Sequence, residues 1–144
     1  MLIISHRGNL NGPDPSTENR EETIEAAIAR GLDCEIDVWA VDDVIWLGHD
    51  GPDRKTTLEF LTSHKKSLWV HCKNLAALIM LKDTFNCFFH DKDEYTLTSH
   101  GYIWGNIGSP MTSQTIQVMP EKASASSNEC LGVCTDYPSR YQLS

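Results

Sequence analysis

Apolar and polar residues alternate most clearly between residues 33 and 39, which read Asp-Cys-Glu-Ile-Asp-Val-Trp. Successive side chains of a β-strand point to opposite faces of a sheet, so this alternation predicts a strand. Its apolar residues share one face, and its other face carries Glu35, Asp37 and Trp39. The two carboxylates therefore point the same way.

Two further segments show a related pattern. Residues 68–73 alternate so that one face carries Trp69, His71 and Lys73. Residues 1–7 form an apolar run that ends in a histidine and an arginine. Ligands of parallel α/β proteins bind at the carboxyl ends of the strands. We therefore expect the polar faces of the three strands to meet at one site.

Helical segments separate these strands in the first half of the chain. Residues 21–30 have acidic residues in their first turn, apolar residues at helical spacing and a glycine after them, which predicts a helix. Two more helices are predicted at residues 57–63 and 75–81. A short strand at residues 44–47 follows two aspartates, so we expect it to fold back as a hairpin and deliver His49 to the strand ends.

The pattern changes beyond residue 90, because no further long amphipathic segment follows. Four short apolar segments are joined by polar or glycine-containing linkers: residues 95–98, 102–104, 115–119 and 131–135. A parallel crossover needs about a dozen residues, so either the first two segments form an antiparallel pair or one of them is not a strand. Residues 121–129, rich in Ser and Ala, indicate a surface loop or a weak helix.

The residue types that carry chemistry are concentrated in the first fifty positions. They occur as His6-Arg7-Gly8, Glu18-Asn19, Glu35-Ile36-Asp37 and His49-Asp50. Two histidines can move protons, carboxylates can hold a hard divalent cation, and an arginine can bind a phosphate. This set indicates a metal-assisted site that cleaves a phosphodiester.

The motifs HRGN, STEN, EIDV and GHD resemble those of the glycerophosphodiester phosphodiesterases and, more distantly, of the phosphatidylinositol-specific phospholipases C. They cover roughly the first third of the chain in register. Residues 68–74 lie where the family usually has a strand reading E-x-K. Residues 132–138 look like the last barrel strand of the family, whose signature is TDxP. The resemblance therefore extends from one end of the chain to the other.

The resemblance implies roles for the residues that match. It makes His6 and His49 the acid–base pair of the reaction. It assigns contacts with the phosphate to Arg7 and Lys73. The expected partner is a small phosphodiester, with a glycerol-linked diester as the favoured substrate.

The resemblance also implies a metal site. Glu35 and Asp37 would coordinate a divalent metal, and Glu18 would join or support the ligands. His71 stands where the family has a further glutamate ligand, so it becomes the fourth candidate ligand. We expect Mg²⁺ or Ca²⁺, with Mn²⁺ as the alternative, since imidazole suits softer metals better than it suits Mg²⁺ or Ca²⁺.

The length of the chain limits the fold that the resemblance implies. A (β/α)₈ TIM barrel normally takes about 250 residues. This chain has 144 residues, which make one domain spanning residues 1–144. We therefore expect an α/β fold: a reduced TIM-type barrel with helices mainly in its first half.

Composition narrows the partners and the compartment. The chain has 20 acidic and 12 basic residues and a net charge of −8, which argues against nucleic acid or an anionic membrane as a partner. No apolar run approaches the roughly 18 residues that a membrane span requires. The five cysteines fall mostly in predicted strands and are expected to be reduced and buried. These features predict a soluble, cytoplasmic protein, and they leave its oligomeric state open.

Three functional hypotheses follow from the sequence. The leading one is a phosphoric diester hydrolase that uses a metal and two histidines. A cyclising lyase of the phospholipase type is the second, because the nucleophile could be a hydroxyl of the substrate rather than water. The third is a domain on a decayed barrel that binds a phosphate ligand without catalysis. His90-Asp91 is a further carboxylate–imidazole pair that could lie in the same region.

Overall fold

The computed structural model describes residues 1–123 and 129–142. Within these ranges it contains ten strands and three α-helices. The strands are β1 (Leu2–His6), β2 (Asp33–Val41), β3 (Val44–Leu47), β4 (Arg54–Lys55), β5 (Leu68–Cys72), β6 (Cys87–Phe88), β7 (Tyr95–Leu97), β8 (Ile103–Gly105), β9 (Thr115–Val118) and β10 (Gly132–Thr135). The helices are α1 (Glu21–Ala29), α2 (Leu58–Ser63) and α3 (Leu75–Leu81).

The three helices lie where the sequence pattern predicts them. Side-chain caps define the start of two: Thr57 accepts a hydrogen bond from the N–H of Phe60, and Asn74 accepts one from the N–H of Ala77. Such caps satisfy N–H groups that have no partner inside the helix. Asn74 also binds the N–H and the carbonyl of Ala40, so the same side chain starts α3 and ties it to β2.

All ten strands belong to one mixed sheet. Its order is β4-β3-β2-β1-β10-β9-β8-β7, and β5 pairs with β2 and with β6. Parallel pairing joins β6, β5, β2, β1, β10, β9 and β8 in series. Antiparallel pairing occurs in β2-β3-β4, which confirms the hairpin expected at residues 44–47. It also occurs between β7 and β8, so of the two alternatives for these segments the antiparallel pair is the one that forms.

The expected TIM-type barrel is wrong. The chain forms a curled mixed sheet that makes a half-barrel, with only three short helices among the described residues. All three helices precede β6, and the later linkers are too short or too polar to form a helical layer outside the second half of the sheet. Within the described ranges no ladder joins β6 to β8. Ser99 links this region instead: its N–H donates to the Cys87 carbonyl, and its hydroxyl accepts from the Cys87 N–H.

The sheet separates two hydrophobic cores. One lies between the sheet and the helices and includes the apolar face of β2, with Ile36 and Val38 fully buried. The other lies inside the curl of the sheet, and its buried members are Ile4, Trp69, Phe88, Trp104, Ile116 and Cys134. Because β-strand faces alternate, the polar residues on the inner face of β1, β2 and β5 lie directly beyond this second core, at the carboxyl ends of β1 and β5 and at the same level in the longer β2.

Other sequence expectations can also be compared with the structure. The segment expected to be a loop or weak helix overlaps a 3-10 turn at Pro120–Lys122, and residues 124–128 of it lie outside the described residues. The five cysteines are free thiols, and four of them are buried. No helix in the described part of the chain has the length and apolar character to cross a bilayer.

Candidate metal and acid–base site

Pairing between β1, β2 and β5 brings the predicted site residues together. His6 is opposite Glu35 in the register of β1 and β2, and Asp37 is opposite His71 in the register of β2 and β5. These four side chains share the inner face of the curled sheet. The strand alternation read from the sequence therefore determines the arrangement of the site once the three strands are adjacent.

Three of these residues form a compact group that could hold a metal. One ligand atom from each of Glu35, Asp37 and His71 lies within 4.8 Å of the others. Glu35 is 2% exposed and Asp37 is 0% exposed. Buried carboxylates are costly unless a cation compensates them. Glu35 Oε1 accepts no hydrogen bond from the described residues, so the group has a free, buried oxygen ligand of the kind that divalent cations prefer.

His71 lies within ion-pair distance of both carboxylates. Its Nδ1 lies 3.2 Å from Asp37 Oδ1 and 3.6 Å from Glu35 Oε2. Its Nε2 lies 3.0 Å from the carbonyl oxygen of His90, to which it can donate. Burial by itself would lower the pKa of His71, but the hydrogen bonds and charges of the two carboxylates outweigh it and raise the pKa to about 9. The imidazolium therefore neutralises part of the charge of this carboxylate pair.

His6 has the geometry of an oriented acid–base group. Its Nδ1 lies 2.7 Å from Asp136 Oδ1, while its Nε2 lies 4.0 Å from Glu35 Oε1. Asn9 also donates to Asp136, over 2.9 Å, and so helps to hold that carboxylate in place. Burial lowers the pKa of His6, but the hydrogen bond to Asp136 and the charge of Glu35 raise it more, so the pKa lies above its usual value. With Nδ1 occupied by Asp136, Nε2 is the nitrogen able to exchange a proton with a ligand.

Arg7 is held by carboxylates of the protein itself. Its NH1 lies 3.1 Å from Glu18 Oε1, and its Nε lies 3.2 Å from Asp37 Oδ2. Arg7 has a left-handed backbone with φ of 58°, and its N–H donates to the Glu35 carbonyl. Glu18 thus supports the site through Arg7, and the group that brings metal-binding atoms together contains Glu35, Asp37 and His71 but not Glu18.

Asn19 positions Asp37 from the other side. Its Nδ2 donates to Asp37 Oδ2 over 2.9 Å, and its Oδ1 accepts from the Asp37 backbone N–H over 3.0 Å. Asn19 is itself buried and has a left-handed backbone with φ of 56°, a conformation that asparagine tolerates better than most residues. The asparagine of the STEN motif therefore holds Asp37 in place in this chain.

We expect Asn19→Ala to lower the free energy of unfolding by about 1–3 kcal/mol, because it removes both hydrogen bonds and leaves polar groups of Asp37 buried without them. Urea unfolding of the variant measures this difference. Asn11→Ala is the matched control, since Asn11 is exposed in the same β1–α1 connection and should change stability by less than about 0.5 kcal/mol. Equal destabilisation by both substitutions would contradict the role given to Asn19.

A cavity of about 180 Å³ opens at the strand ends, and it is lined both by predicted site residues and by residues that were not predicted. Of the predicted set, the residues that line it are His6, Arg7, Glu35, His49 and His71. His49 comes from the turn after β3, its side chain is 41% exposed, and its Nδ1 lies 2.9 Å from Asp50 Oδ1. Asp37 is buried among its partners, and neither Asp37 nor Lys73 is one of the described residues that line the cavity.

Sequence reasoning gave no site role to Asp136, Asn9 or Lys122, although Asp136 is part of the motif that resembles the TDxP signature. His90, a weaker candidate, lines the cavity and contributes its carbonyl oxygen to His71. The matching TDxP motif was the available signal for Asp136, but no local signal identified Lys122.

Comparison of the chain with protein families, with curated proteins and with solved structures gave no match.

Proposed function

We propose that this protein is a phosphoric diester hydrolase that requires a divalent metal, with a glycerol-linked phosphodiester as its favoured substrate. One observation carries the proposal. His6 and His49, the two residues suited to proton transfer, line the same cavity as Glu35 and His71 of the carboxylate group. Binding of a ligand alone does not require two histidines at this place, whereas cleavage of a diester uses an acid and a base.

Glu35, Asp37 and His71 would hold the metal, with His71 giving up its proton because only neutral imidazole binds a metal. Glu35 Oε1 supports this assignment, because it is buried, accepts no hydrogen bond from the described residues and has His6 Nε2 only at 4.0 Å. A bound cation would satisfy this oxygen. Mg²⁺ or Ca²⁺ suits the two carboxylates, and Mn²⁺ tolerates the imidazole better. When bound, the metal would neutralise charge on the phosphoryl oxygens.

The histidines divide the proton transfers between them. One takes a proton from the nucleophile, and the other gives a proton to the leaving alkoxide. Asp136 holds His6 by Nδ1 and stabilises its protonated form, while Asp50 contacts Nδ1 of the more exposed His49. Water as nucleophile makes the protein a hydrolase, and an adjacent hydroxyl of the substrate makes it a cyclising lyase. Detection of a cyclic phosphate product by phosphorus NMR would favour the lyase.

A second candidate function is binding of a phosphate ligand without catalysis. The observation in its favour is the position of His71, whose raised pKa of about 9 makes it a cation between Glu35 and Asp37 at neutral pH. A built-in counterion of this kind stabilises the carboxylates without a metal. The two functions differ in their response to chelation.

We expect excess EDTA to abolish diesterase activity and to lower the melting temperature, because removal of a cation leaves the buried carboxylates to repel each other. Added Mg²⁺ or Ca²⁺ should restore both. Rates on a glycerol-linked diester and thermal melts across a metal series measure the effect. Glu35→Gln is the matched variant, and its activity should require a higher metal concentration. Activity that persists unchanged in EDTA would remove the metal from the mechanism.

A further inference from the structure

We propose that Lys122, in the turn after β9, is the residue that binds the phosphate of the ligand, in place of Lys73. This inference rests on the proposed function, since it assigns the phosphate contact within the same cavity. Lys122 lines that cavity together with His6 and His71. Nothing in the sequence pattern distinguishes Lys122 from the other lysines, so the assignment comes from the tertiary structure alone.

A cation that is not already paired within the protein would favour binding of a phosphate in this cavity. Glu35 lines the cavity, and Asp37 and Asp136 are buried next to the lining residues His71 and His6, so these carboxylates would repel an approaching phosphate. Arg7 lines the cavity, but its guanidinium already pairs with Glu18 and Asp37. Among the described residues, the lysines and arginines that line this cavity are Arg7 and Lys122. Of these two, Lys122 makes no ion pair within the described part of the protein.

The turn that carries Lys122 is tied to the strand beside the site. The N–H of Met119 donates to the Cys134 carbonyl over 2.7 Å, and Met119 is buried. Glu121 accepts a hydrogen bond of 2.6 Å from the hydroxyl of Thr135 and one of 3.4 Å from the N–H of Asp136. Lys122 follows directly. Its backbone is thus held near the carboxylate that orients His6, while its exposed side chain keeps the freedom to reach a ligand.

Lys73 is not one of the described residues that line this cavity. Strand β5 ends at Cys72, and the next two residues turn the chain into α3, whose first N–H groups are capped by Asn74. The backbone N–H of Lys73 donates to the Val38 carbonyl over 2.8 Å, at the point where β5 leaves β2. Lys73 therefore follows the last residue of β5 and lies outside the described lining of the cavity.

Binding of inorganic phosphate and of glycerol 3-phosphate to the full chain tests the assignment by calorimetry, with Mg²⁺ present and with EDTA. We expect Lys122→Met to weaken binding of both by about 10- to 100-fold, as loss of a charge-assisted hydrogen bond does. Lys122→Arg keeps the charge and should bind within a few fold of the unmodified protein. Lys73→Met is the competing variant, and Lys66→Met, an exposed lysine outside this cavity, is the control; neither should weaken binding.

The other outcomes separate this proposal from the proposed function. Unchanged phosphate binding by Lys122→Met, or weakening by Lys73→Met instead, would overturn the assignment. Failure of the unmodified protein to bind either ligand would overturn it as well. If Lys122→Met weakens binding but the unmodified protein cleaves no diester under any metal condition, the Lys122 assignment stands and the proposed hydrolase function fails.

Discussion

Replacement of His6 by alanine is expected to lower the turnover of a glycerol-linked phosphodiester by about 10²–10⁴-fold, the loss typical of a missing general acid or base. His6 meets the geometric requirement, because Asp136 holds its Nδ1 at 2.7 Å and its Nε2 remains for the ligand. The same range is expected for His49→Ala, since His49 lines the same cavity. Steady-state rates at saturating metal measure both effects.

The fold should survive these two substitutions. Neither histidine belongs to either hydrophobic core. One core lies between the sheet and the helices, and the other lies inside the curl of the sheet. Circular dichroism and thermal melts therefore verify that the loss is in chemistry. His64→Gln is the control histidine, because His64 follows α2 and packs on Phe60 outside the cavity. If His6→Ala and His49→Ala both keep the unmodified rate, the phosphate-binding function without catalysis becomes the better explanation.

The second large effect is expected from His71→Glu. In EDTA the substitution exchanges a cation for a third carboxylate next to Glu35 and Asp37, and we expect the free energy of unfolding to fall by about 3–5 kcal/mol. With Mg²⁺ or Ca²⁺ the same three carboxylates form an oxygen-rich site, so the variant should gain far more stability from the metal than the unmodified protein does. Its metal preference should shift from Mn²⁺, Co²⁺ or Zn²⁺ toward Mg²⁺ or Ca²⁺.

Thermal melts and diesterase rates across the metal series measure this response. His71→Gln is the matched variant, because it removes the cation and adds no carboxylate. It should lose stability in EDTA but gain no preference for Mg²⁺ or Ca²⁺. A His71→Glu variant that melts lower and shows no change in metal preference would contradict the assignment of His71 to the metal site.

The pH dependence of stability in EDTA reports the same interaction. The folded pKa of His71 is about 9, above its usual 6.5, so its protonation stabilises the folded state. This contribution is complete below pH 6.5 and is lost as the pH rises through about 9. His71→Gln should lack this loss in that pH window, because no proton binds at the position.

Much of the site follows from short-range pattern. The alternation of β2 places Glu35 and Asp37 on one face, and the alternation of β5 places His71 on the same side of the sheet. The first-turn acids of α1 and the capping residues of α2 and α3 mark helices that the structure contains. These features depend on a few neighbouring residues, so local periodicity is sufficient to predict them.

The fold class could not be predicted from local periodicity in the same way. The resemblance to the phosphodiesterases implied a TIM-type barrel, yet such a barrel needs helices and strands around its whole circumference. The second half of this chain supplies short strands, one hairpin and 3-10 turns. Ser99, rather than a strand ladder, bridges the region between β6 and β8, and no local pattern marks a serine for that position.

The sequence by itself determined which side chains share a strand face and therefore that Glu35, Asp37 and His71 could form one group. Only the tertiary structure decided which distant residues complete it. Asp136 is 130 positions from His6, and their contact depends on the pairing of β1 with β10. Likewise, a turn tied to β10 places Lys122 in the lining of the cavity, which no local pattern in the sequence indicates. Strand periodicity acts over two residues, whereas these choices depend on which strands lie side by side and where each one ends.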